Sequence, residues 1–395
     1  MAWSVTLNPG YSGASVRGDE VYVMDREPGL RESMVCLDLQ TGQERWRHSY
    51  AVRKTLSGFD GSRHQPAVDT NLAFAVGPLG NVIAVDRATG TKVWELDLVK
   101  DFPHINPPVG QYRHHPRWGY AQCPVLYRDT VIVAPHATNA GLVALEKTTG
   151  RVRWRSADIG PNDFSFVSPE LVDFGGTAQI LTIGNLHTSA SPPALLSSVD
   201  AHTGAVLWQT RTKRRYNVPI PQPVHIGGDR IFYTGGYRIG SFLLEARKSD
   251  TAWRVSEIAA DSSNCTAHIQ SPVFSKGHLY AQSFDVYHNP TNNGMVCLDT
   301  NLAIRWRSAD HGLLFDSGAF LIADNLLFVL HGQTGELFLL DADPSAFRVL
   351  ARARVFDPPA GNVWAPMSLA NGRLLVRDQT SLKCLLVGRP SGPEP

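Results

Sequence analysis

Histidine is the residue type in this sequence that could do chemistry near neutral pH, and its positions are uneven. The 395 residues contain 14 histidines. Ten fall in long irregular segments or shortly before strand-like segments: His64, His104, His114, His115, His136, His187, His268, His288, His311 and His331. An imidazole titrates near neutral pH and is a common ligand of zinc, copper, iron and nickel. The pattern indicates a functional site built around histidine, with satisfied or solvated histidines as the alternative.

Four of these histidines and one aspartate are candidates for catalysis: His64, His115, His136, His268 and Asp316. A histidine beside a carboxylate could act as an acid or base in elimination, isomerisation, cyclisation or hydrolysis. A metal site is the other interpretation, with His64, His268 and His331 as its ligands. Three neutral imidazoles would leave one coordination position of a transition metal open. The sequence does not decide between the two.

A small-molecule site also needs walls and hydrogen-bonding groups. Aromatic rings stack on the faces of a ligand, while amide and imidazole groups bond to its edge. The candidates for substrate binding share the same irregular segments: Tyr112, Trp118, Gln122, His187, Gln222, Tyr237, Gln270, Tyr287 and Trp364. We expect a polar small molecule as the ligand, and a protein partner is an open alternative.

An internal repeat reveals the elements that would position these residues. One ten-residue phrase occurs four times, as "LDLQTGQERW" (Leu37–Trp46), "VDRATGTKVW" (Val85–Trp94), "LEKTTGRVRW" (Leu145–Trp154) and "VDAHTGAVLW" (Val199–Trp208). In each copy a strand leads to an acidic residue, Thr-Gly forms a turn, and a second strand carries a tryptophan eight residues after the acid. Looser copies follow around Glu245–Trp253, Leu298–Trp306 and Leu340–Val349. We expect each tryptophan to pack against the neighbouring unit.

Two further strand-like segments precede each copy, which gives four short strands per unit. Units of this size with four strands are typical of β-propeller blades. Seven blades are anchored by the repeats, and the eighth, Trp364–Val387, shows only three strands. We predict an all-β, eight-bladed propeller in one domain over residues 1–395, with Ala2–Leu7 as the missing strand that closes the ring. A disordered tail is expected from about residue 390.

The propeller prediction brings the candidate residues together. Similar segments lead into the inner strands of successive blades: "RHQP" (Arg63–Pro66), "AQCP" (Ala121–Pro124), "FVSP" (Phe166–Pro169), "IPQP" (Ile220–Pro223), "HIQSP" (His268–Pro272) and "VWAP" (Val363–Pro366). We call these the approach segments. In a propeller they surround the central funnel, and the long loops on the same face surround its mouth. We therefore expect a histidine-rich pocket on the axis.

Composition excludes several functions. Lys and Arg total 37 and Asp and Glu total 36, a net charge of +1, which argues against nucleic acid or an anionic membrane as the partner. The five cysteines form neither an adjacent pair nor a CxxC motif. No nucleotide-binding glycine motif occurs, so no nucleotide cofactor is expected. The start, "MAWSVTLNPG", lacks an export signal, so we expect a cytoplasmic protein, or a periplasmic one if a signal was removed.

The recurring "LDxxTGxxxW" phrase resembles the pyrroloquinoline-quinone-like repeat, and the resemblance covers essentially the whole chain. It implies an eight-bladed propeller. The family includes quinoprotein alcohol dehydrogenases, outer-membrane assembly lipoproteins that act as scaffolds, and bacterial propellers without an assigned activity, to which this chain looks most similar. The repeat carries the fold and not the chemistry.

Three functions follow from this resemblance and from the residues. A quinone-dependent dehydrogenase would need a disulfide between adjacent cysteines and a set of calcium ligands, and the cysteine pair is missing, so pyrroloquinoline quinone is not expected. A scaffold would bind protein partners at the blade rims. The interpretation that we favour is a soluble enzyme or small-molecule binder that uses the histidine-rich funnel, with or without a transition metal ion.

Overall fold

The computed structural model describes residues 1–52, 61–103, 118–160, 165–185, 193–215, 218–237, 239–250, 252–284 and 293–388. These residues form eight four-stranded antiparallel sheets, each of which is a blade. Among the described residues, one short helix, α1 (Leu98–Asp101), and one 3₁₀ turn (Ser308–His311) lie between the strands. The predicted tail from about residue 390 lies outside the described residues.

Seven blades are built from strands that follow one another along the chain. Blades 1 to 3 contain β2 (Ser15–Arg17), β3 (Glu20–Glu27), β4 (Arg31–Asp38) and β5 (Glu44–Ala51); β6 (Ala67–Val68), β7 (Leu72–Val76), β8 (Asn81–Asp86) and β9 (Lys92–Asp97); β10 (Val125–Tyr127), β11 (Thr130–Val133), β12 (Val143–Glu146) and β13 (Val152–Arg155). Blades 4 and 5 contain β14 (Glu170–Phe174), β15 (Thr177–Asn185), β16 (Pro193–Asp200) and β17 (Val206–Arg215); β18 (Val224–His225), β19 (Arg230–Gly235), β20 (Gly240–Lys248) and β21 (Trp253–Asp261). Blades 6 and 7 contain β22 (Val273–Ser275), β23 (His278–Ser283), β24 (Gly294–Asp299) and β25 (Ile304–Arg307); β26 (Phe320–Ala323), β27 (Leu326–Leu330), β28 (Glu336–Asp341) and β29 (Val349–Arg354).

Blade 8 is completed by the beginning of the chain. Its strands are β30 (Ser368–Ala370), β31 (Arg373–Arg377), β32 (Ser381–Leu386) and β1 (Trp3–Thr6). Strand β1 pairs with β32 so that Trp3 lies opposite Cys384 and Thr6 opposite Ser381. The inner strands β2 and β30 also contact each other. The predicted eight-bladed fold and the predicted closing strand are therefore confirmed, and closure leaves no blade without a neighbour.

The repeated phrase has a physical role at each residue. Asp38 Oδ1 accepts hydrogen bonds from the backbone N–H groups of Gln40 and Thr41, which caps the turn. Gly42 follows with φ of 73°, a left-handed conformation that favours glycine. A side chain there would also collide with Trp3 of the preceding blade, because a Cβ would lie 2.7 Å from the indole ring. The Thr-Gly glycine is thus fixed by both conformation and packing.

Most of the tryptophans connect one blade to the next, as predicted. Trp46 packs on Gly90, Trp94 on Gly150 and Trp154 on Gly204. The indole N–H groups also reach backbone carbonyl groups of the following blade, as in the 2.9 Å bond from Trp46 to Arg87 and the 2.7 Å bond from Trp94 to Lys147. Trp46 and Trp94 therefore contribute both apolar burial and a directional bond between blades.

Trp253 departs from the prediction, because it packs backwards onto blade 4. Its ring stacks on Phe174 at a centroid distance of 5.2 Å and touches Gly175. Blade 5 lacks the Thr-Gly turn, and the buried indole N–H of Trp208 in blade 4 has no acceptor among the described residues. Between blades 5 and 6 the Asn264 side chain donates to the Leu302 carbonyl at 2.9 Å. Blade 5 is thus joined to its neighbours differently from the other blades.

Strand direction separates two faces of the ring. Since the four strands of a blade alternate in direction, every inner strand begins on one face, which we call the top face. The Thr-Gly turns, which join the third strand to the fourth, lie on the opposite bottom face. Within the described part of the chain, no helix has the length and apolar content needed to span a membrane.

Candidate functional site

A cavity of about 580 Å³ lies where the inner strands begin, and all eight blades contribute to its lining. Blade 1 contributes Tyr11 and blade 7 contributes Phe320. The approach segments of the other blades provide most of the remaining lining residues. Because every blade takes part, the cavity lies on the axis of the ring at its top face, and we call it the axial cavity.

Four of the approach segments present alternate residues to the axial cavity. In these four the residue before the proline lines the cavity, and so does the residue two positions earlier: Gln65 and Arg63, Cys123 and Ala121, Ser168 and Phe166, Gln222 and Ile220. The segment of blade 6 differs, because its four consecutive residues His268–Ser271 all line the cavity. Successive side chains of an extended chain point to opposite sides. The position relative to proline is the sequence signal that could have identified Arg63 and Gln65, which the sequence analysis missed.

His64 and Gln122 occupy the intervening positions and are not among the lining residues of the axial cavity. His64 is fully buried, and its Nε2 accepts the backbone N–H of Val76 at 3.0 Å. Burial lowers the pKa of His64 to about 3, so its imidazole is neutral. The Gln122 side chain donates to the carbonyl of Ser165. The structure therefore uses both residues in packing between strands, contrary to the expectation that they would face the funnel.

Three other predicted residues also lie away from the axial cavity. His136 is buried in the loop between β11 and β12, in a left-handed conformation with φ of 52°. Asp316 and His331 are neighbours in blade 7. Burial lowers the pKa of His331, and the nearby carboxylate of Asp316 raises it by a smaller amount. Burial raises the pKa of Asp316. None of the three is among the described residues that line the cavity.

Six of the predicted site residues do line the axial cavity: Trp118, Gln222, Tyr237, His268, Gln270 and Trp364. His268 is the one histidine among the described lining residues, so the pocket is not histidine-rich over that part of the chain. The predicted residues Tyr112, His115, His187 and Tyr287 lie outside the described residues.

His268 sits in an aromatic environment. Its Nε2 lies 3.0 Å from the hydroxyl oxygen of Tyr237, and its ring stacks on Phe284 at a centroid distance of 6.0 Å. Burial lowers the pKa of His268 to about 4, so the imidazole is neutral at pH 7. Tyr237 has φ of 59°, a strained conformation for a bulky residue. The fold thus holds one imidazole and one phenol together at the wall of the cavity.

Two further aromatic pairs form the walls. Tyr11 and Trp364 lie 5.7 Å apart between ring centroids, and Trp118 and Phe166 lie 5.5 Å apart. The guanidinium of Arg63 lies 5.8 Å from the centroid of the Tyr11 ring, within the range of a cation–π contact. The described walls therefore combine flat aromatic surfaces with the guanidinium of Arg63.

Three side-chain amides belong to the polar lining, and the fold holds them in place. Gln65 Nε2 donates to the Ala14 carbonyl at 3.0 Å, and Gln270 Nε2 donates to the Trp364 carbonyl at 2.9 Å. Gln222 Nε2 donates to a carboxyl oxygen of Glu170 at 2.8 Å. Amides held in this way are pre-organised for hydrogen bonds with a ligand.

The predicted metal site is not formed by His64, His268 and His331. Over the described residues, no three side chains of His, Cys, Asp or Glu lie close enough to hold a metal ion. His64 lies in the blade interior, His268 at the cavity wall and His331 in blade 7, so the approach segments and loops direct the three imidazoles to different places. This corrects the choice of ligands made from the sequence.

A quinone of the kind used by quinoprotein dehydrogenases does not fit these residues either. All five cysteines are free thiols, and Cys123 is the one that lines the axial cavity. The described lining residues include no carboxylate that could hold a calcium ion. We therefore derive no chemical step through such a group.

Known structures share this architecture. BamB from Moraxella catarrhalis is 14% identical, with a TM-score of 0.61 over 97% of this chain and 95% of that chain. Quinohemoprotein alcohol dehydrogenase from Comamonas testosteroni is 16% identical, with a TM-score of 0.64 over 100% of this chain and 77% of that chain. The computationally designed Ika8 protein is 10% identical, with a TM-score of 0.52 over 97% and 98%. At these identities the similarity concerns the fold alone.

At the level of sequence, no curated protein matches the chain. A family model described as outer membrane protein assembly factor BamB matches residues 31–299, which is more than half of the chain. That match spans the second to the fifth blade entirely, the last two strands of the first and the first three strands of the sixth, and its repeats are the ones that form the blades described above. The chain therefore belongs to the BamB family of pyrroloquinoline-quinone-like repeat propellers.

Proposed function

We propose that this protein binds a small molecule in the axial cavity. The observation that carries the proposal is a cavity of about 580 Å³ to which every blade contributes a lining residue. Ligand sites in proteins have volumes of roughly 300–1,000 Å³ and combine apolar walls with a few fixed polar groups. The aromatic pairs and the three held amides match that description. A closed ring also makes the cavity rigid, which lowers the entropic cost of binding.

Tyr237 and His268 are the residues that we propose for acid–base chemistry on such a ligand. The imidazole is neutral at pH 7, and its Nε2 exchanges a hydrogen bond with the Tyr237 hydroxyl. A proton could pass between the pair and a ligand during elimination, isomerisation, cyclisation or hydrolysis. Binding is the minimal function and chemistry is the further step, so the experiment addresses binding.

The test uses N-phenyl-1-naphthylamine, a neutral aromatic dye whose fluorescence rises in apolar surroundings. One molecule should bind per chain. Ala121→Trp places an indole inside the cavity and should weaken binding at least tenfold. Ala88→Trp places the same side chain on an exposed bottom-face turn and should leave the affinity within twofold of wild type. Equal affinities for the two variants would overturn the proposal.

A protein-binding scaffold is the second candidate, because the chain belongs to a family described by outer membrane protein assembly. Strand β29 is the outer strand of blade 7, and all six of its residues are exposed. Leu350 is 51% exposed there. An exposed strand edge with apolar side chains suits the addition of a partner strand.

A photoreactive amino acid in place of Leu350 distinguishes the scaffold from the small-molecule binder. In cells of the native host, the scaffold predicts a discrete crosslinked species from position 350 and none from position 88. It also predicts that Ala121→Trp leaves this crosslink unchanged. A crosslink that disappears when the cavity is filled would instead connect the surface to the axial cavity.

A further inference from the structure

Two glutamines at the axial cavity are fixed by their amide nitrogens. Gln65 Nε2 donates to the Ala14 carbonyl at 3.0 Å and to the Ser368 hydroxyl at 3.3 Å, which uses both of its N–H groups. Gln270 Nε2 donates to the Trp364 carbonyl at 2.9 Å. A backbone carbonyl can only accept a hydrogen bond, so these contacts establish which side-chain atom is the nitrogen and which is the oxygen. Both amides therefore direct a donor into the protein.

The amide oxygens of the same two residues are open to the cavity. Neither Oε1 accepts a hydrogen bond from a described residue, and neither is one of the buried side-chain atoms that lack a partner. Gln222 differs, because its Oε1 accepts a bond from the Ser271 hydroxyl at 3.3 Å. Since Gln65 and Gln270 both line the axial cavity, their oxygens are two acceptors that a ligand can reach.

The two acceptors belong to the same part of the cavity as an aromatic surface. Gln65 leads into blade 2 and Gln270 into blade 6, and both donate to the segment Trp364–Ser368, which leads into blade 8. In the closed ring, blade 8 lies between blades 6 and 2, so the two amides reach it from opposite directions. The Trp364 ring lies 5.7 Å from the Tyr11 ring between centroids. An aromatic surface and two fixed acceptors therefore meet at blade 8.

Binding a ligand removes water from these oxygens. A ligand without a hydrogen-bond donor leaves the two acceptors unsatisfied, and this loss opposes binding. A hydroxyl group replaces the lost water and restores the bond. Because the amides are held by their nitrogens, little rotamer freedom is lost when their oxygens accept such a bond. The geometry therefore favours ligands with donors at the edge of a ring.

We infer that the axial cavity selects hydroxylated aromatic compounds, with Oε1 of Gln65 and of Gln270 as the acceptors that determine this specificity. The inference rests on the proposed function, since it names the class of molecule that the axial cavity would bind. The aromatic ring would lie against Trp364 and Tyr11, and its hydroxyl groups would donate to the amide oxygens.

The test compares 2-naphthol with 2-methoxynaphthalene, which share one ring skeleton and are both uncharged at pH 7. The ether keeps its oxygen as an acceptor and loses only the O–H donor, so the ratio of the two affinities isolates the donated bond. Displacement of N-phenyl-1-naphthylamine measures both affinities. Wild-type protein should bind the naphthol at least fivefold more tightly, even though the ether is the more apolar compound.

Substitution by methionine removes the amide oxygens and keeps the side-chain length. The double variant Gln65→Met with Gln270→Met should bring the affinity ratio below twofold, while its affinity for the ether stays within threefold of wild type and shows that the cavity is intact. Gln270→Met alone keeps both Gln65 bonds and is the milder variant. Its ratio should lie between those of wild type and the double variant.

Gln209→Met is the matched control. Gln209 lies on the outer strand of blade 4, and its Nε2 also donates to a backbone carbonyl, that of Asp158, at 2.8 Å. This variant loses the same kind of bond away from the axial cavity and should keep the wild-type ratio. A ratio near one in wild type, or an equal ratio in wild type and the double variant, would overturn the hydroxyl specificity. Failure of the dye and of both naphthalene compounds to bind wild-type protein would instead overturn the proposed function, so the two failures are distinguishable.

Discussion

The indole N–H of Trp94 lies 2.7 Å from the carbonyl oxygen of Lys147 and ties the outer strand of blade 2 to the Thr-Gly turn of blade 3. The same bond recurs from Trp3 to Leu39 and from Trp306 to Asp343. Each such bond adds about 1 kcal/mol of net stability to the apolar burial of the ring. The contacts between neighbouring blades therefore differ in strength according to whether this bond is present.

Trp208 provides the comparison, because its buried N–H has no acceptor in the described part of the chain. Trp94 and Trp208 are similarly buried, with 8% and 5% exposure. We expect Trp94→Phe to lower the free energy of unfolding by about 1 kcal/mol more than Trp208→Phe does, since only the former loses a hydrogen bond. Urea unfolding measures this difference, provided that the two variants have equal m-values. A larger loss from Trp208→Phe would contradict this account.

Stability should fall between pH 6.5 and pH 4 because of the buried histidines. Burial lowers the pKa values of His64 and His268 to about 3 and 4, whereas an unfolded histidine titrates near 6.5. Within this window the unfolded chain binds protons that the native protein does not. The free energy of unfolding therefore decreases as pH falls, by at most about 1.4 kcal/mol per pH unit for each histidine.

His64→Gln tests this pH dependence, because the amide oxygen can still accept the Val76 N–H while nothing titrates. Urea unfolding at pH 7, 6 and 5 should give a shallower slope for this variant than for wild type. His202→Gln, on an exposed turn, should keep the wild-type slope. If the slope is the same in all three proteins, His64 does not carry the effect.

Arg377 holds the closed ring together at its first and last blades. It is 1% exposed, and its guanidinium donates to the carbonyl groups of Asn8, Ser12 and Met24, each at 3.0 Å. Arg377→Met leaves these carbonyl groups without their donor, so we expect a loss of about 3 kcal/mol. Arg373→Met, on the same strand but partly exposed, should cost less than 1 kcal/mol. Denaturant unfolding of the two variants measures both losses. Similar decreases in the free energy of unfolding would contradict the role of Arg377.

Cys123 reports on the occupancy of the axial cavity. It is the partly exposed cysteine, whereas Cys36, Cys265, Cys297 and Cys384 are fully buried. We expect N-ethylmaleimide to modify Cys123 first, and slowly at pH 7, because burial raises the pKa of its thiol. Saturating N-phenyl-1-naphthylamine should slow the reaction further.

Peptide mass spectrometry locates the modified cysteine, and Cys123→Ser should abolish the early product. Modification that begins at another cysteine, or that the dye leaves unchanged, would argue against the proposed position of the ligand.

The architecture was predictable because its signal is local and repeated. An acid that caps a turn, a glycine with positive φ and a tryptophan at fixed spacing must act together within about ten residues. Four copies of that phrase predict the blade, and the missing fourth strand of blade 8 predicts that Ala2–Leu7 completes it, which the pairing of β1 with β32 confirms. Trp208 also occurs with the expected spacing, although its indole N–H has no acceptor among the described residues.

The site was only partly predictable. His268 and Gln222 were placed at the axial cavity, but His64 and Gln122 were chosen in place of Arg63 and Cys123. An extended segment presents every second residue, and a shift of one residue exchanges the exposed side for the buried one. In blade 2 residue type favoured His64, whereas the backbone direction turns its neighbours Arg63 and Gln65 toward the cavity.

The sequence by itself determined that this chain forms eight blades and closes them with its first strand, because the residues of each turn interact within a single hairpin or with the next copy of the same phrase. Only the tertiary structure decided which side chains meet on the axis. That outcome depends on how eight separate segments, far apart in the chain, turn their alternating side chains toward one cavity. No local pattern specifies those orientations.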